Sequence, residues 1–177
     1  MNNMGSAYAT LTLELSLDVI LTAFLLSQMS AFPGALAFGW LAGRVGAKRA
    51  ILVSLAIWSV VAALAYNLAV GAGQGFIGVA VLAGFAWGGN QALSRSRFGS
   101  MIPEGASAEF YGFYSVTAKF SSIWGPLMYA VIRDATGSGR YAILSLLGFF
   151  IVGALLLSAV NVDAARRSRH DWQLESA

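Results

Sequence analysis

The sequence predicts an all-α fold, a polytopic bundle of about five membrane-spanning helices, and three observations predict it. Of 177 residues, 58% are hydrophobic and 11% are charged, where a soluble domain carries about 25% charge. The mean hydropathy is +0.69. Uncharged stretches also run far longer than a soluble core helix needs, the longest being the 45 residues at 50–94. Such a composition excludes disorder, a secreted disulfide scaffold and an ordinary cytosolic enzyme domain. With no cysteine in the chain, disulfides, thiolate metal sites and cysteine nucleophiles are excluded together. The formal charge of +3 does not indicate nucleic acid, because the basic residues lie between apolar runs rather than clustered on one water-exposed element.

A hydrocarbon core of about 30 Å needs roughly 20 apolar residues at 1.5 Å rise per residue. Residues 19–43 hold no charge and make the first span, with a bend expected at Pro33 and Gly34, because proline removes a backbone donor and disfavours helix at Phe32. The 45 residues at 50–94 would reach about 68 Å as one helix, so they must fold back once. The segment Asn67-Leu-Ala-Val-Gly-Ala-Gly-Gln74 supplies the turn and leaves spans at 50–66 and 75–97. A fourth span covers 110–132 and carries one charge, Lys119; the fifth, 141–162, is the most uniformly apolar. Polar loops at 103–109 and 133–140 separate the last three spans. Trp40, Tyr66, Tyr111 and Tyr141 fall near the span ends, where aromatic belts anchor helices. The organisation expected is an outer N-terminal segment at 1–18, a five-helix bundle at 19–162 and a cytoplasmic tail at 163–177.

Lys and Arg accumulate in cytoplasmic loops, so their distribution predicts orientation. Arg44, Lys48, Arg49, Arg95, Arg97, Arg166, Arg167 and Arg169 fall on one side, and only Arg133 and Arg140 on the other. That places the C-terminus in the cytoplasm and the N-terminus outside. The first basic residue is Arg44, so no signal peptide explains an outer N-terminus. The pattern favours a larger protein whose upstream part is absent from this chain over a freestanding five-helix protein.

Within their apolar stretches, spans 50–66 and 141–162 hold no polar group stronger than serine, tryptophan or tyrosine, as lipid-facing supports should. The other three carry Gln28, then Asn90, Gln91, Ser94 and Arg95, then Lys119, Ser121 and Ser122. A lysine or arginine at membrane centre costs about 3 kcal/mol on insertion scales, so these groups should face a bundle interior or a watered cavity. Lys119 sits about 15 Å deep by helical rise, where snorkelling is difficult. It reads as an ammonium for a substrate carboxylate or for proton coupling, with a structural ion pair or a lysine capped by carbonyls as the alternative. Arg95 and Arg97 lie where snorkelling to phosphates competes with a site role. Gln28, Asn90 and Gln91 line a path or serve as interhelical glue.

Two glycine pairs, Gly39 with Gly43 and Gly84 with Gly88, have the GxxxG spacing of close helix packing. The literal GxGxxG at Gly73–Gly78 joins two membrane spans rather than a strand to a helix, so a nucleotide role is rejected. The single histidine, His170, lies in the tail, so no Ser/His pair or histidine metal site forms within the bundle. No catalytic residue, metal or cofactor is expected.

The loop Gly39-Trp-Leu-Ala-Gly-Arg44-Val-Gly46-Ala-Lys48-Arg49 resembles the short cytoplasmic signature of the major facilitator superfamily, with Gly43 standing where that signature has an acid. Gly88-Gly-Asn-Gln91-Ala-Leu-Ser94-Arg95-Ser96, Ile102-Pro103, Glu109-Phe-Tyr-Gly-Phe-Tyr114, Lys119-Phe and Gly125-Pro126-Leu127 resemble the last third of its vacuole-effluxer-like branch, related to autophagy-linked amino acid effluxers of fungal vacuoles. The resemblance implies the second half of a twelve-helix permease, seen from the second helix of that half onward. In that fold the third and sixth helices of each half face lipid, the places where spans 50–66 and 141–162 fall. Such halves rock about a midplane site. The function expected is secondary active transport, with efflux of amino acids or similar small solutes implied by the branch and Lys119, Asn90, Gln91, Arg95, Gln28 and Ser94 as cavity candidates. Expected partners are the lipid bilayer, a small-molecule solute and the absent N-terminal half, and the expected site is the cell (inner) membrane. The alternative is a non-transporting assembly or regulatory subunit packing through its glycine faces; an intramembrane enzyme has too few candidate residues.

Overall fold

The computed structural model describes residues 2–99, 102 and 107–159. The expected tail at 163–177, most of the loop at 103–109 and the side chains of Arg97 and Ser121 lie outside the described residues. Every regular element is a helix: α1 (Asn2–Leu11), α2 (Leu17–Val45), α3 (Ala47–Asn67), α4 (Gly73–Gly99), α5 (Ser107–Thr136), α6 (Gly139–Leu144) and α7 (Leu146–Ala159). Only Ser145 separates α6 from α7, and the two act as one span. The expected spans are all present as helices, and most overshoot the apolar runs by a few residues, as membrane helices do where they enter the interface. Part of the expected outer segment is itself helical, as α1.

Four helical stretches are long and apolar enough to cross a bilayer: Leu17–Val45, Ala47–Asn67, Gly73–Ser96 and Gly139–Ala159. The 30-residue α5 is the most polar long helix, carrying Glu109, Lys119, Arg133 and Asp134 with several hydroxyls.

The helices alternate in direction around two tight connections, which name the two ends of the bundle. At one end a single residue, Gly46, joins α2 to α3. Its φ is 87°, a conformation that glycine alone adopts readily, and its N–H donates to the Ala42 carbonyl at 3.0 Å. This is the physical reason for a glycine at that position of the loop signature. At the other end Gly71 turns α3 into α4, and its N–H donates to the Leu13 carbonyl at 3.0 Å, tying the turn to the segment before α2.

The tightest packing is α2 against α4. A Cβ added at Gly34 would run into the Phe85 carbonyl, one at Gly84 into the Ser27 carbonyl, and one at Gly88 into the Ala31 carbonyl. The helices therefore meet backbone to backbone, with a stripe of small residues on each. Ser30 adds a bond across the contact, its hydroxyl shared between the Val81 carbonyl of α4 and the Ser27 carbonyl of its own helix, each at 2.8 Å. Helix α2 runs through Pro33 as one element. The adjacent Gly34 is buried against α4, so the contact sits where the ladder loses a donor. The second GxxxG pair thus packs as its spacing implies, whereas Gly39 and Gly43 have nothing within 4 Å of an added Cβ.

Two buried clusters close the ends. Tyr8, Leu13, Ala65, Tyr129 and Ile143 pack at the Gly71 end, where the Tyr8 hydroxyl donates to the Ala65 carbonyl at 2.7 Å. Phe38, Ala50 and Leu93 pack at the Gly46 end, with Phe38 and Phe85 rings 5.8 Å apart.

Gly84→Leu or Gly88→Val forces the α2 backbone away and should destabilise the bundle by about 1–3 kcal/mol, whereas Gly39→Ala and Gly43→Ala should stay within about 0.5 kcal/mol. Unfolding of the detergent-solubilised chain followed by circular dichroism measures both; equal losses at the two pairs would contradict the packing.

Candidate functional site

A cavity of about 480 Å³ lies between the two buried clusters. Its walls come from α1, α2, α3, α4 and the α6–α7 span, and they are mostly apolar: Phe24, Trp58, Phe76, Trp87 and Phe150 supply the aromatic surface. Polar side chains on the wall are few. Ser27 spends its hydroxyl within its own helix, donating to the Phe24 carbonyl at 2.8 Å, and Gln28 contributes an amide.

The two apolar spans were expected to stand aside as supports, yet both help enclose this cavity, α3 through Trp58, Val61 and Ala62 and the last span through Ile143 and Phe150. Helix α3 is also the most covered span, with 28% of its apolar window buried against 11% for α2. The reason is geometric: α3 touches α2, α4, α6 and α7, whereas the outer face of α2 is exposed among the described residues, as at Met29, Phe32 and Leu36.

Of the six cavity candidates, Gln28 is the one on this wall. Asn90, Gln91, Ser94 and Arg95 form two adjacent stripes one turn apart near the end of α4. The Ser94 hydroxyl donates to Asn90 Oδ1 at a long 3.4 Å; Asn90, Gln91 and Ser94 are half-buried and Arg95 is exposed. Lys119 lies midway along α5, its side chain exposed, and the Ser122 hydroxyl donates to its carbonyl at 2.6 Å. Helix α5 is held mainly at its ends. Phe98 of α4 meets the Tyr111 and Tyr114 rings at 5.6 and 4.7 Å, and Tyr129 is buried in the cluster at the Gly71 end. The structure therefore gathers the α4 group, brings Gln28 to the cavity and leaves Lys119 on a separate open face.

In the loop signature, the Arg44 guanidinium lies 4.0 Å over the Trp40 ring. Lys48 Nζ donates to the Ser158 carbonyl at 2.7 Å. Gly39 and Arg49 are exposed. Sequence reasoning passed over Ser30 and Tyr8, whose hydroxyls tie helices together. Ser30 carries a readable signal, because Ser27, Ala31 and Gly34 form a small-residue stripe at helical spacing around it. Among the described residues no group of three His, Asp or Glu side chains forms a metal-binding set.

The profile of the family described as "Vacuole effluxer Atg22 like" matches residues 1–170. The chain is 34% identical over 162 residues to an MFS-type transporter of Bacillus subtilis (strain 168), YxiO, which is named as uncharacterized; the match covers 92% of this chain and 37% of that protein. It is 38% identical over 84 residues to autophagy-related protein 22 of Kluyveromyces lactis, 48% of this chain and 17% of that protein. A further 38% identity over 88 residues relates it to autophagy-related protein 22 of Neurospora crassa, 50% of this chain and 12% of that protein. The chain thus spans little more than a third of the Bacillus relative and less of the fungal ones. No solved structure matches.

The two hydroxyl bonds in the α2–α4 region should differ in weight. Ser30→Ala removes an interhelical bond and should lower stability by about 0.6–1.7 kcal/mol, while Ser94→Ala removes a long one within α4 and should change it by less than about 0.5 kcal/mol. Parallel unfolding curves of the two variants decide, and a larger loss at Ser94 would reverse the assignment.

Proposed function

The chain belongs to the vacuole effluxer Atg22-like family, and on that premise we propose that it forms the C-terminal part of a secondary active transporter that effluxes amino acids or similar small solutes by alternating access. The observation that carries this reading is the match along 92% of the chain to a named MFS-type transporter. The geometry supports it. Helices α2 and α5 expose long apolar faces, with Met29, Phe32 and Phe113 at 71, 72 and 73% exposure, and Gln28 and Lys119 lie on these same two helices. Faces of that kind suit an N-terminal half docking across them, so that Gln28 and Lys119 come to line a passage shared by both halves.

In this reading Lys119 presents an ammonium to a substrate carboxylate or to the coupling proton, in a low-dielectric setting where one charge weighs heavily. The amides of Asn90 and Gln91, the Ser94 hydroxyl and Arg95 serve polar groups of the solute nearer the Gly46 end. That end faces the cytoplasm of the cell membrane, by the excess of basic residues there, and residues 1–18 lie outside. The bundle occupies 19–162 and the tail at 163–177 follows in the cytoplasm. A second reading, a non-transporting subunit that packs on a partner, draws on the open faces of Gly39 and Gly43, which a partner helix could approach closely.

Proteoliposomes holding the complete permease and preloaded with labelled amino acids test the proposal. Lys119→Ala should slow efflux roughly tenfold or more, equivalent to about 1.4 kcal/mol of barrier, and Lys119→Arg should retain part of it. Unchanged efflux removes Lys119 from the mechanism; absence of transport of any solute tried favours the subunit reading. Cysteines placed at Arg49 and Thr136 should react with impermeant maleimide from opposite faces, and reaction from one face overturns the topology.

A further inference from the structure

Two cations at opposite ends of the bundle perform the same task. Lys48, the second residue of α3, donates from Nζ to the Ser158 carbonyl in the last turn of α7, at 2.7 Å. Arg140, the second residue of α6, donates from Nη2 to the carbonyl of Leu68, the C-cap of α3, at 2.8 Å. Each helix thus begins with a cation that closes the end of its antiparallel neighbour. Helix C-termini carry carbonyls without intrahelical donors and the negative end of the helix dipole, so both contacts combine a charge-assisted hydrogen bond with a favourable dipole interaction.

Between the clamps, ring contacts continue in one register. Tyr66 meets Tyr141 at 6.2 Å between centroids, and Trp58 meets Phe150 at 5.8 Å. Leu68, Tyr66, Trp58 and Lys48 descend along α3 as Arg140, Tyr141, Phe150 and Ser158 ascend along the partner span, nearly residue for residue. Lys48 and Leu68 lie twenty residues apart, roughly 30 Å along a helix and the thickness of the hydrocarbon core. The two cations therefore sit where the bilayer tolerates charge, and their bonds hold the full membrane-crossing length of the pair.

We infer that α3 and the α6–α7 span form a single rigid strut, clamped at both ends by Lys48 and Arg140. Neither cation is a substrate group in this assignment. Arg140 is one of only two basic residues on its side of the membrane by the sequence reading, and its guanidinium is engaged by α3 rather than free for lipid phosphate. Helix α5 packs against the α6 end of the strut through Tyr129, which is buried with Ala142 and Ile143; its described ring contacts are with Phe98 of α4, and Lys119 rides on it. In a rocking half the strut would carry α3 and the α6–α7 span as one body. That last role rests on the transport reading, whereas the strut itself is measurable without any transport.

The chain contains no cysteine, so spin labels can be placed uniquely in the full chain in lipid nanodiscs. Labels at Val53→Cys with Leu155→Cys report the Lys48 end, and labels at Leu64→Cys with Phe149→Cys, which run from the Arg140 side of α3 to the middle of the partner span, report the other half; all four positions are exposed. Lys48→Met should broaden the first distance distribution roughly twofold and spare the second, and Arg140→Met should do the reverse, since release of one end admits hinge motion there. Lys48→Arg and Arg140→Lys keep a donor and should restore narrow distributions. Unchanged widths in both methionine variants overturn the inference, as does loosening of both ends by either one. Should a methionine variant fail to fold, hydrogen exchange of the unaltered chain decides: α3 and α6–α7 exchanging as one cooperative unit supports the strut, and α6–α7 opening independently of α3 overturns it. Failure here leaves the efflux assay untouched, and failure of efflux leaves the strut standing.

Discussion

The backbone contact of α2 with α4 is the constraint on which the rest of this bundle depends. In lipid there is no hydrophobic drive to bring helices together, because acyl chains are as apolar as leucine, so association comes from close packing and interhelical hydrogen bonds. Gly34, Gly84 and Gly88 let two backbones touch where any side chain would intrude, and Ser30 bonds to the Val81 carbonyl across that same contact. Once α2 and α4 are fixed, the one-residue turn at Gly46 leaves α3 little freedom but to lie beside both. Its burial, greater than that of any other candidate span, follows from connection length as much as from its own side chains.

Around that pair the chain separates rigid from open regions. Buried clusters seal the two ends, and an apolar cavity occupies the space between them. The α3 and α6–α7 spans, the least polar in the sequence, hold one another through cations that reach past their own helix to a neighbour's carbonyls. Polar groups at membrane depth are distributed differently. The α4 group clusters near the Gly46 end, Gln28 reaches the cavity, and Lys119 stands exposed on α5. On the proposed reading, an ionisable residue on an exposed face suits the docking of a second body; the chain spans little more than a third of the Bacillus relative.

Much of the fold is legible in the residues themselves, because the bilayer imposes a length and a polarity that a sequence must meet segment by segment. Apolar runs located each long helix to within a few residues, and the glycine-rich stretch at 67–74 located the turn. Gly84 and Gly88 announced close packing through their spacing. Gly39 and Gly43 have the same spacing and face open space, because spacing places two residues on one face of a helix without saying what that face meets.

Which helix meets which was decided by the tertiary structure. Nothing in the order of residues marks Lys48 as a partner of Ser158, or Arg140 as a partner of Leu68, since those pairs lie 110 and 72 positions apart and each cation satisfies its local rule equally well by snorkelling to water. Likewise α3 reads as a lipid-facing support from its side chains, yet it helps wall the cavity, because an apolar surface serves against lipid and against protein alike. Hydropathy and charge determine that a segment crosses and which end carries the cations; the neighbour of each face depends on shape complementarity between distant segments, which exists only after the chain has folded.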